Sequence, residues 1–266
     1  MKKLISILLF ILCASRIDAQ HNPLFSEYVF NPVILNPADA GFRTALDVSV
    51  MHRRQWVAFD GAPITTTVNA HTALHNQKMN VGIAVLNDHY GVTTKFQFKS
   101  FFAYRIFAHP KNHLSFGISA SVNQISNRWS EINTTVAGDP MFTSGDDKFY
   151  SMEFGFGAMY RTPAYAIGFT TPGLINTAQG GQLINLQYLI SGEYNFSIGT
   201  HFVATPMLAV RHVANSPLQY DLSAALTYQQ KFTFGIGYRK NDALMFITKF
   251  KINEQLEGGY AYDLTV

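Results

Sequence analysis

Cysteine is nearly absent from this chain. The only one, Cys13, lies in an apolar stretch close to the N-terminus. Once that stretch is removed, neither a disulfide framework nor a thiol nucleophile remains. The stability of the mature chain must therefore come from backbone pairing and burial.

Charge is also scarce. Charged residues make up 14% of the chain, against about 25% in an ordinary soluble protein. Aromatic residues are equally frequent at 14%, so the whole surface cannot face water as a soluble protein's does. The net charge of +3 is mild and the basic residues are scattered, which argues against a nucleic-acid partner.

Long apolar runs are missing after residue 19, and a helical membrane protein is thereby excluded. At the N-terminus, Lys2 and Lys3 precede an apolar core at 4–14, and a small-residue cleavage site follows at 17–19. This is the pattern of a secretory signal peptide cleaved before Gln20. We therefore expect three parts: a signal peptide at 1–19, an N-terminal periplasmic or lumenal segment at 20–43, and a folded domain at 44–266.

Two-residue alternation runs through the folded domain. In residues 95–106, one face carries Phe96, Phe98, Phe102, Tyr104 and Ile106, and the other carries Lys95, Gln97, Lys99 and Arg105. Such alternation predicts strands and not helices. The apolar face is large and aromatic while the other is small, polar or charged, which is typical of a transmembrane β-barrel with lipid outside.

About thirteen such segments can be counted, so the prediction is an all-β, transmembrane antiparallel barrel of about 14 strands whose closing strand is possibly absent from the chain. The alternative is a miscount by one, because bacterial single-chain barrels have even strand numbers. Most odd-to-even connections are longer than the even-to-odd ones. Long external loops and short periplasmic turns would produce that difference.

Two motifs follow the signal peptide: FSEYVFNPVILNPADAG at 25–41 and HRRQWVAFDGAPIT at 52–65. Together they resemble the PorP/SprF family of the Bacteroidota type IX secretion system. The first motif matches at Glu27, Tyr28, Asn31, Pro32, Asn36, Pro37, Ala38, Ala40 and Gly41. The second matches at Arg53, Gln55, Trp56, Phe59, Gly61, Ala62, Pro63 and Thr65. The chain departs from the family at its C-terminus, where members usually continue into a further loop and a closing strand.

The resemblance implies an integral outer-membrane protein without enzymatic activity. It implies a requirement for the secretion or surface attachment of particular type IX substrates, including large gliding adhesins recognised through their C-terminal domains. It also implies contact with periplasmic or outer-membrane parts of the secretion machinery. No cofactor is expected.

The second motif also has a physical interpretation. Trp56 and Phe59 follow the first strand at the height of the lipid interface, where amphipathic rings are favoured, and Arg53 or Arg54 could stack on them or pair with lipid phosphates. The stretch is therefore either an interfacial anchor with a turn or part of an external docking surface. Arg128 and Trp129 begin the longest connection, 127–148, which is a further candidate for partner contact or a plain surface loop.

The prolines of the first motif argue against a strand, so residues 25–41 could plug the lumen or line the periplasmic mouth. We expect the charged residues of the strands to face the lumen and pair there: Glu153, Glu193, Asp221, Glu257 and Asp263 with Lys95, Lys99, Arg105, Arg161, Arg211 and Arg239. The glycines at 155–157 and 235–237 precede no helix and are expected to face the lumen and relieve crowding.

No catalytic or metal-binding arrangement is predicted. His71 and His75 are four residues apart on a strand, about 13 Å, which is too far for one metal ion. Two other functions stay open: an outer-membrane transporter or porin for small solutes, and a soluble periplasmic β-sandwich.

Overall fold

The computed structural model describes residues 31–43, 45–74, 77–109, 111–132, 145–178, 186–214 and 216–266. The predicted signal peptide at 1–19 and residues 20–30 lie outside this part of the chain. No helix among the described residues is long and apolar enough to cross a membrane.

Fourteen strands account for most of the described chain. They are β1 (Asp47–Arg54), β2 (Ile64–Ala73), β3 (Met79–Tyr90), β4 (Thr93–His109), β5 (Asn112–Asn127), β6 (Asp147–Arg161), β7 (Tyr165–Ala178), β8 (Gln187–Tyr194), β9 (Phe196–Ile198), β10 (Phe202–Val213), β11 (Gln219–Tyr228), β12 (Phe232–Arg239), β13 (Ala243–Lys251) and β14 (Glu257–Thr265).

The strands form one antiparallel sheet in which each strand pairs with its neighbour in sequence. The exception is β9, which pairs with β10 alongside β8, so that β8 and β9 are two pieces of one ladder position separated by Asn195. The path through the sheet therefore has thirteen positions, and the count made from the sequence is confirmed. Within the described residues no ladder joins β1 to β14, so the sheet is not closed by backbone pairing.

Alternation decides which side chains face outward. In β11, Leu222 and Leu226 are exposed, while the alternating residues Asp221, Ser223 and Ala225 are buried. The predicted aromatic face of β4 is likewise exposed, at Phe96, Phe98, Phe102, Tyr104 and Ile106. Large apolar side chains outside and polar ones inside are the arrangement of a transmembrane barrel. The expected inner-face placement is confirmed for Arg105, Glu153, Arg211, Asp221 and Arg239, all of which are buried.

The sheet curves until its two edge strands approach each other. Arg43, just before β1, lies 2.7 Å from Glu257 of β14, and Arg53 of β1 lies 3.5 Å from Asp263 of β14. Because the antiparallel path has an odd number of positions, β1 and β14 run in the same direction. We call the gap between these two strands the seam.

The longest connections, 55–63, 128–146 and 179–186, all leave the same edge of the barrel, which we call the long-loop edge. The opposite, short-turn edge carries connections such as 110–111, 162–164 and 229–231. The alternation along the sequence predicts connections at 88–92 and 172–183. Both are shorter in the structure, at 91–92 and 179–186, because β3 continues to Tyr90 and β7 continues to Ala178.

Candidate functional site

Residues 31–43, which we call the lumenal segment, lie against the inner face of the barrel. The segment forms two 3₁₀ turns, Pro32–Ile34 and Pro37–Asp39, each beginning with a proline preceded by an asparagine. Proline has a fixed φ and no N–H, so it suits the first position of such a turn. Asn36 caps the second turn, because its side chain accepts a hydrogen bond from the Ala38 N–H at 3.0 Å.

The lumenal segment is enclosed by the barrel. Its side chains are almost completely buried at Asn31, Val33, Asn36, Pro37, Ala38, Asp39 and Ala40. Val33 and Ala40 pack with Ala84, Phe101 and Ala103 of β3 and β4, and Ala38 packs with Met159 and Ala166 of β6 and β7. The first family motif therefore forms a core inside the barrel, in the part of it that the structure describes.

Hydrogen bonds from two asparagines fix the start and the middle of the segment to the wall. Asn31 donates to Ser49 of β1 and to Asn69 of β2, the latter at 2.8 Å. Asn36 donates to the backbone carbonyls of Ala158 and Phe169 at 3.1 and 3.3 Å. The side chains of these two asparagines thus donate hydrogen bonds to acceptors on four different strands.

Gly41 forms the other anchor. Its N–H donates to Nδ1 of His71 at 3.2 Å, and its carbonyl accepts from Arg105 at 2.9 Å. Its φ is +66°, and a Cβ at this position would collide with Asn80. Only glycine satisfies both conditions, which gives the Gly41 match a structural reason.

A buried ionic group holds the second turn. Arg161 of β6 lies 2.9 Å from the carboxylate of Asp39 and 2.6 Å from that of Glu193 on β8, and its guanidinium lies over the ring of Phe42, 4.3 Å from the centroid. Burial raises the pKa of Asp39, and the positive charge of Arg161 opposes that shift. Removing Arg161 would leave a buried carboxylate without this counter-ion.

Glycines on the inner wall make room for the segment. A Cβ on Gly117 would collide with the Pro37–Ala38 backbone, and a Cβ on Gly157 would overlap the side-chain oxygen of Asn36. The prediction that the glycines at 155–157 face the lumen and relieve crowding is confirmed at Gly157, which accommodates the lumenal segment.

Beside the segment lies a cavity of about 220 Å³. Its wall includes charged side chains from both halves of the sheet, among them Arg43, Asp47, Arg161, Glu193 and Lys249. No group of three histidine, cysteine or acidic side chains that could hold a metal ion occurs in the described parts of the chain. His75 lies outside those parts, and His71 contacts Gly41 instead.

The second motif forms a loop at the long-loop edge. The Gln55 N–H donates to the Pro63 carbonyl at 3.0 Å and closes the loop. Gly61 has φ +74°, and its carbonyl accepts from the Gly91 N–H at 2.8 Å, which ties the loop to the β3–β4 turn. Trp56 and Phe59 are 63% and 68% exposed, so two large rings project from this edge.

The two arginines of this motif face opposite sides of the sheet. Arg54 is exposed on the outer face, but Arg53 lies on the inner face and pairs with Asp263. Of the two arginines expected to stack on the rings or to pair with lipid phosphate, only Arg54 lies on the outer face, so the expectation now concerns Arg54. Successive strand residues face opposite sides, so only one of the two can reach the outer surface.

Arg128 and Trp129 lie at the same edge, beyond the end of β5. Arg128 pairs with Glu131 at 2.8 Å, and the indole N–H of Trp129 donates to Asp147 at 3.1 Å. The Ser130 N–H donates to Asp146 at 3.1 Å and lowers the pKa of that carboxyl. The predicted site residues thus form two groups, one inside the barrel and one at its long-loop edge.

Several residues that hold the lumenal segment were not recognised from the sequence as its partners: Ser49, Asn69, His71, Asn80, Arg105, Gly117, Arg161 and Gly168. A signal was available, because inward-facing glycines on consecutive strands indicate that another part of the backbone comes close. Nothing in the sequence shows which part that is.

The family comparison covers nearly the whole chain. The family model described as "Type IX secretion system membrane protein PorP/SprF" matches residues 17–266. A search of curated proteins found no match. The match includes both sequence motifs, the one that forms the lumenal segment and the one that forms the edge loop. The chain therefore belongs to the PorP/SprF family of type IX secretion system membrane proteins.

Proposed function

We propose that this protein is a non-enzymatic outer-membrane barrel that binds the C-terminal domains of particular secreted proteins, such as large adhesins, and supports their secretion or surface attachment. In this proposal the signal peptide at 1–19 is cleaved, the long-loop edge faces outside, and the short-turn edge meets periplasmic components of the secretion system. Membership of the family supports the proposal.

The observation that carries it is the occupied lumen. Most of residues 31–41 are buried against β1 to β7 and held by hydrogen bonds, an ion pair and packing. The segment takes up space inside the barrel through which solutes would have to pass. This argues against the porin alternative. The barrel is well suited to act as a rigid membrane platform for a partner.

The exposed rings of Trp56 and Phe59 are the natural partner contacts in this proposal, together with Arg54, Arg128 and Trp129 at the same edge. Aromatic and arginine side chains are enriched among the residues that dominate binding energy. Trp56 has φ +42° and Ala58 has φ +76°, so the loop holds its rings outward at some backbone cost.

The function is tested by deleting the gene and comparing the proteins of the cell surface and the medium with those of the parent strain. We expect specific surface proteins, sharing a C-terminal domain type, to disappear while total outer-membrane protein is unchanged. An unchanged set of surface and secreted proteins would contradict the proposal.

The edge loop is tested by complementing the deletion with the double variant Trp56→Ala/Phe59→Ala. We expect the variant to assemble at the parental level and to lose most client secretion or attachment. The matched control is Ile252→Ala/Leu256→Ala, which removes two exposed apolar side chains at the short-turn edge. If Trp56→Ala/Phe59→Ala lowers barrel assembly and leaves secretion per barrel unchanged, the loop is a lipid anchor only.

A further inference from the structure

We propose that the outer face of β1 to β6 binds the phosphate groups of membrane lipids at the long-loop edge. The inference rests on the outer-membrane location and the orientation given in the proposed function. It names the lipid chemistry of the leaflet that this edge meets.

Backbone pairing places polar side chains in two neighbouring rows across these six strands, and we call the two rows the headgroup belt. The outermost row consists of Arg54, Ile64, His89, Thr94, Ser126 and Lys148. The next row consists of His52, Thr66, Asn87, Phe96, Gln124 and Tyr150. The belt runs from the seam to β6 over five strand spacings, or about 24 Å.

The belt ends abruptly on the side toward the middle of the barrel. The next row of the same outer face is wholly apolar and consists of Val50, Val68, Val85, Phe98, Val122 and Met152. Because belt and apolar row belong to one continuous wall, lipids whose acyl chains cover the apolar row bring their headgroups to the belt. The surface therefore fits a lipid better than a soluble partner.

The height of the belt agrees with the level of the headgroups. Tyr150 and Tyr160 of β6 both face outward and are ten residues apart, about 34 Å along a strand. At a strand tilt of about 40° they differ in height by about 26 Å, close to the apolar band of about 25 Å that aromatic girdles flank. Lys148 is the next outer position beyond Tyr150, so it lies just outside the hydrocarbon.

Charge divides the two faces of the described strands. All of their aspartates and glutamates lie on the inner face, namely Asp47, Asp88, Asp147, Glu153, Glu193, Asp221, Glu257 and Asp263. Among their lysines and arginines, Arg54 and Lys148 are the two on the outer face, and both are exposed in the belt. A cation costs little near the interface and about 2–4 kcal/mol at the midplane, so this placement fits an anionic headgroup layer.

The belt cations are not held in ion pairs. The basic residues of the ion pairs in the described parts of the chain are Arg43, Arg53, Arg128, Arg161, Arg239, Lys249 and Lys251. The guanidinium of Arg54 has the fork geometry that matches phosphate oxygens, and the ammonium of Lys148 acts as a point charge. Both can therefore turn to a lipid phosphate.

Threonines position the two histidines of the belt. Nδ1 of His52 lies 3.0 Å from Oγ1 of Thr66, and Nδ1 of His89 lies 3.1 Å from Oγ1 of Thr94. Each contact joins side chains on neighbouring strands and leaves the second ring nitrogen, Nε2, to meet a headgroup. Imidazole and hydroxyl groups add hydrogen-bonding capacity between the two cations.

The short-turn edge of the same wall has a different chemistry. Its outward side chains are mainly aromatic, with ring contacts of Tyr160 with Tyr165, Tyr165 with Tyr194 and Tyr194 with Phe196. Aromatic rings suit the interface of any bilayer, whereas a basic belt selects anionic headgroups. The two edges of the barrel thus fit two leaflets of different charge.

Lipid selectivity is tested by native mass spectrometry of the purified protein in detergent, titrated with dioleoyl phosphatidic acid or dioleoyl phosphatidylcholine. We expect the parent to bind phosphatidic acid more tightly. The variant Arg54→Gln/Lys148→Gln should bind it about tenfold more weakly, because each basic residue near the surface contributes about a fivefold change. The matched control, Lys111→Gln/Lys231→Gln, removes two exposed lysines at the short-turn edge and should keep the parental affinity.

A parent protein without preference for phosphatidic acid would overturn the inference, as would equal losses in the two variants. Inorganic phosphate is added as a competitor to distinguish the source of the phosphate group. We expect it to leave the binding of phosphatidic acid unchanged, since the acyl chains also contact the wall. Displacement of the lipid by inorganic phosphate would show a site for the soluble ion and would overturn the inference.

The depth of the belt is tested without relying on the charge variant. In a Cys13→Ser background the chain has no cysteine, so nitroxide labels can be placed singly at Lys148→Cys and Phe154→Cys. In lipid vesicles we expect the label at 148 to collide mainly with a water-soluble nickel reagent and the label at 154 mainly with oxygen. A label at 148 as shielded from nickel as the label at 154 would place the belt in hydrocarbon and overturn the inference.

These results separate the inference from the function on which it rests, because the lipid measurements need no secreted client. If the gene deletion removes client proteins but the parent shows no lipid selectivity, the inference fails and the proposed function stands. If the deletion removes no surface protein while the belt variant loses phosphatidic acid, the proposed function fails and the lipid site stands.

Discussion

At the scale of single residues, the chain shows how a few small side chains decide where a buried segment can lie. Gly157 and Gly117 face the lumen beside Asn36 and the Pro37–Ala38 backbone, and each would overlap these atoms if it carried a Cβ. A Cβ added to Gly173 on β7 would have no such neighbouring atom within 4 Å. Glycine content alone does not distinguish these cases, whereas the position of the lumenal segment does.

The substitution Gly157→Ala is predicted to destabilise the barrel by about 1–3 kcal/mol, because overpacking a filled interior forces its neighbours to shift. The midpoint of heat-induced unfolding, followed by the gel mobility of the folded barrel, measures the effect. Gly173→Ala is the matched control and should leave the midpoint unchanged. Equal midpoints for both variants would contradict the close approach of Asn36.

The substitution Arg161→Met is predicted to cost about 3–5 kcal/mol, since it leaves the buried Asp39 carboxylate without its ion-pair partner. The same unfolding assay applies, with limited proteolysis of the N-terminal region as a second readout. Arg128→Met removes the exposed pair with Glu131 and should have no measurable effect. The role given to Arg161 would be disproved by a variant as stable and as protease-resistant as the parent.

At the scale of elements, each strand has an outer face toward lipid and an inner face toward the lumen. β12 shows this in eight residues, where Phe234 and Ile236 are exposed outside and Gly235 and Arg239 are buried inside. Arg239, 0% exposed, is paired with Asp221, Asp242 and Asp263, so the inner charge is neutralised locally. A one-residue slip of the strand would move the arginine into lipid and the rings into the lumen.

The substitution Phe234→Arg is predicted to cost about 2–4 kcal/mol near the middle of the bilayer and to impair assembly. Refolding into lipid vesicles at increasing denaturant gives the free energy of unfolding. Phe234→Leu keeps an apolar side chain at the same place and should assemble normally. If the arginine variant refolds like the leucine variant, the outward face of β12 does not meet hydrocarbon.

At the scale of the whole molecule, two features stand out: the lumenal segment lies inside the barrel, and among the described residues no ladder joins β1 to β14. The lumenal segment contacts the wall from β1 through β7, while ion pairs on the inner face link β12 to β14 and β14 to β1. The barrel is thus held together by its contents as well as by its ladders. In the proposed function, a partner is held at the long-loop edge and does not pass through the centre of the barrel.

Purified parent protein in planar bilayers is predicted to show little conductance, because the lumenal segment narrows the interior. Removing residues 32–42 should raise conductance markedly if the barrel survives, which gel mobility checks. Replacing residues 133–144 by a Gly-Ser linker of equal length is the control and should leave conductance low. A large, stable conductance in the parent protein would revive the porin alternative.

The sequence alone determined the strands, their two faces and their order, because two-residue alternation is a local property and each face meets a different solvent. It also indicated that the prolines of the first motif argue against a strand at 25–41, and it allowed a count of about thirteen strands. The second motif could be located at a strand end, with its rings outside. All of these follow from neighbours along the chain.

Only the tertiary structure decided where the first motif lies, which groups hold it, and that Arg53 turns inward to Asp263 while Arg54 stays outside. It also decided that β1 and β14 approach without pairing. The physical reason is that these contacts join residues far apart in sequence, such as Asn36 with Ala158 and Arg53 with Asp263. Their partners are set by the curvature of the whole sheet, which no local pattern of residues records.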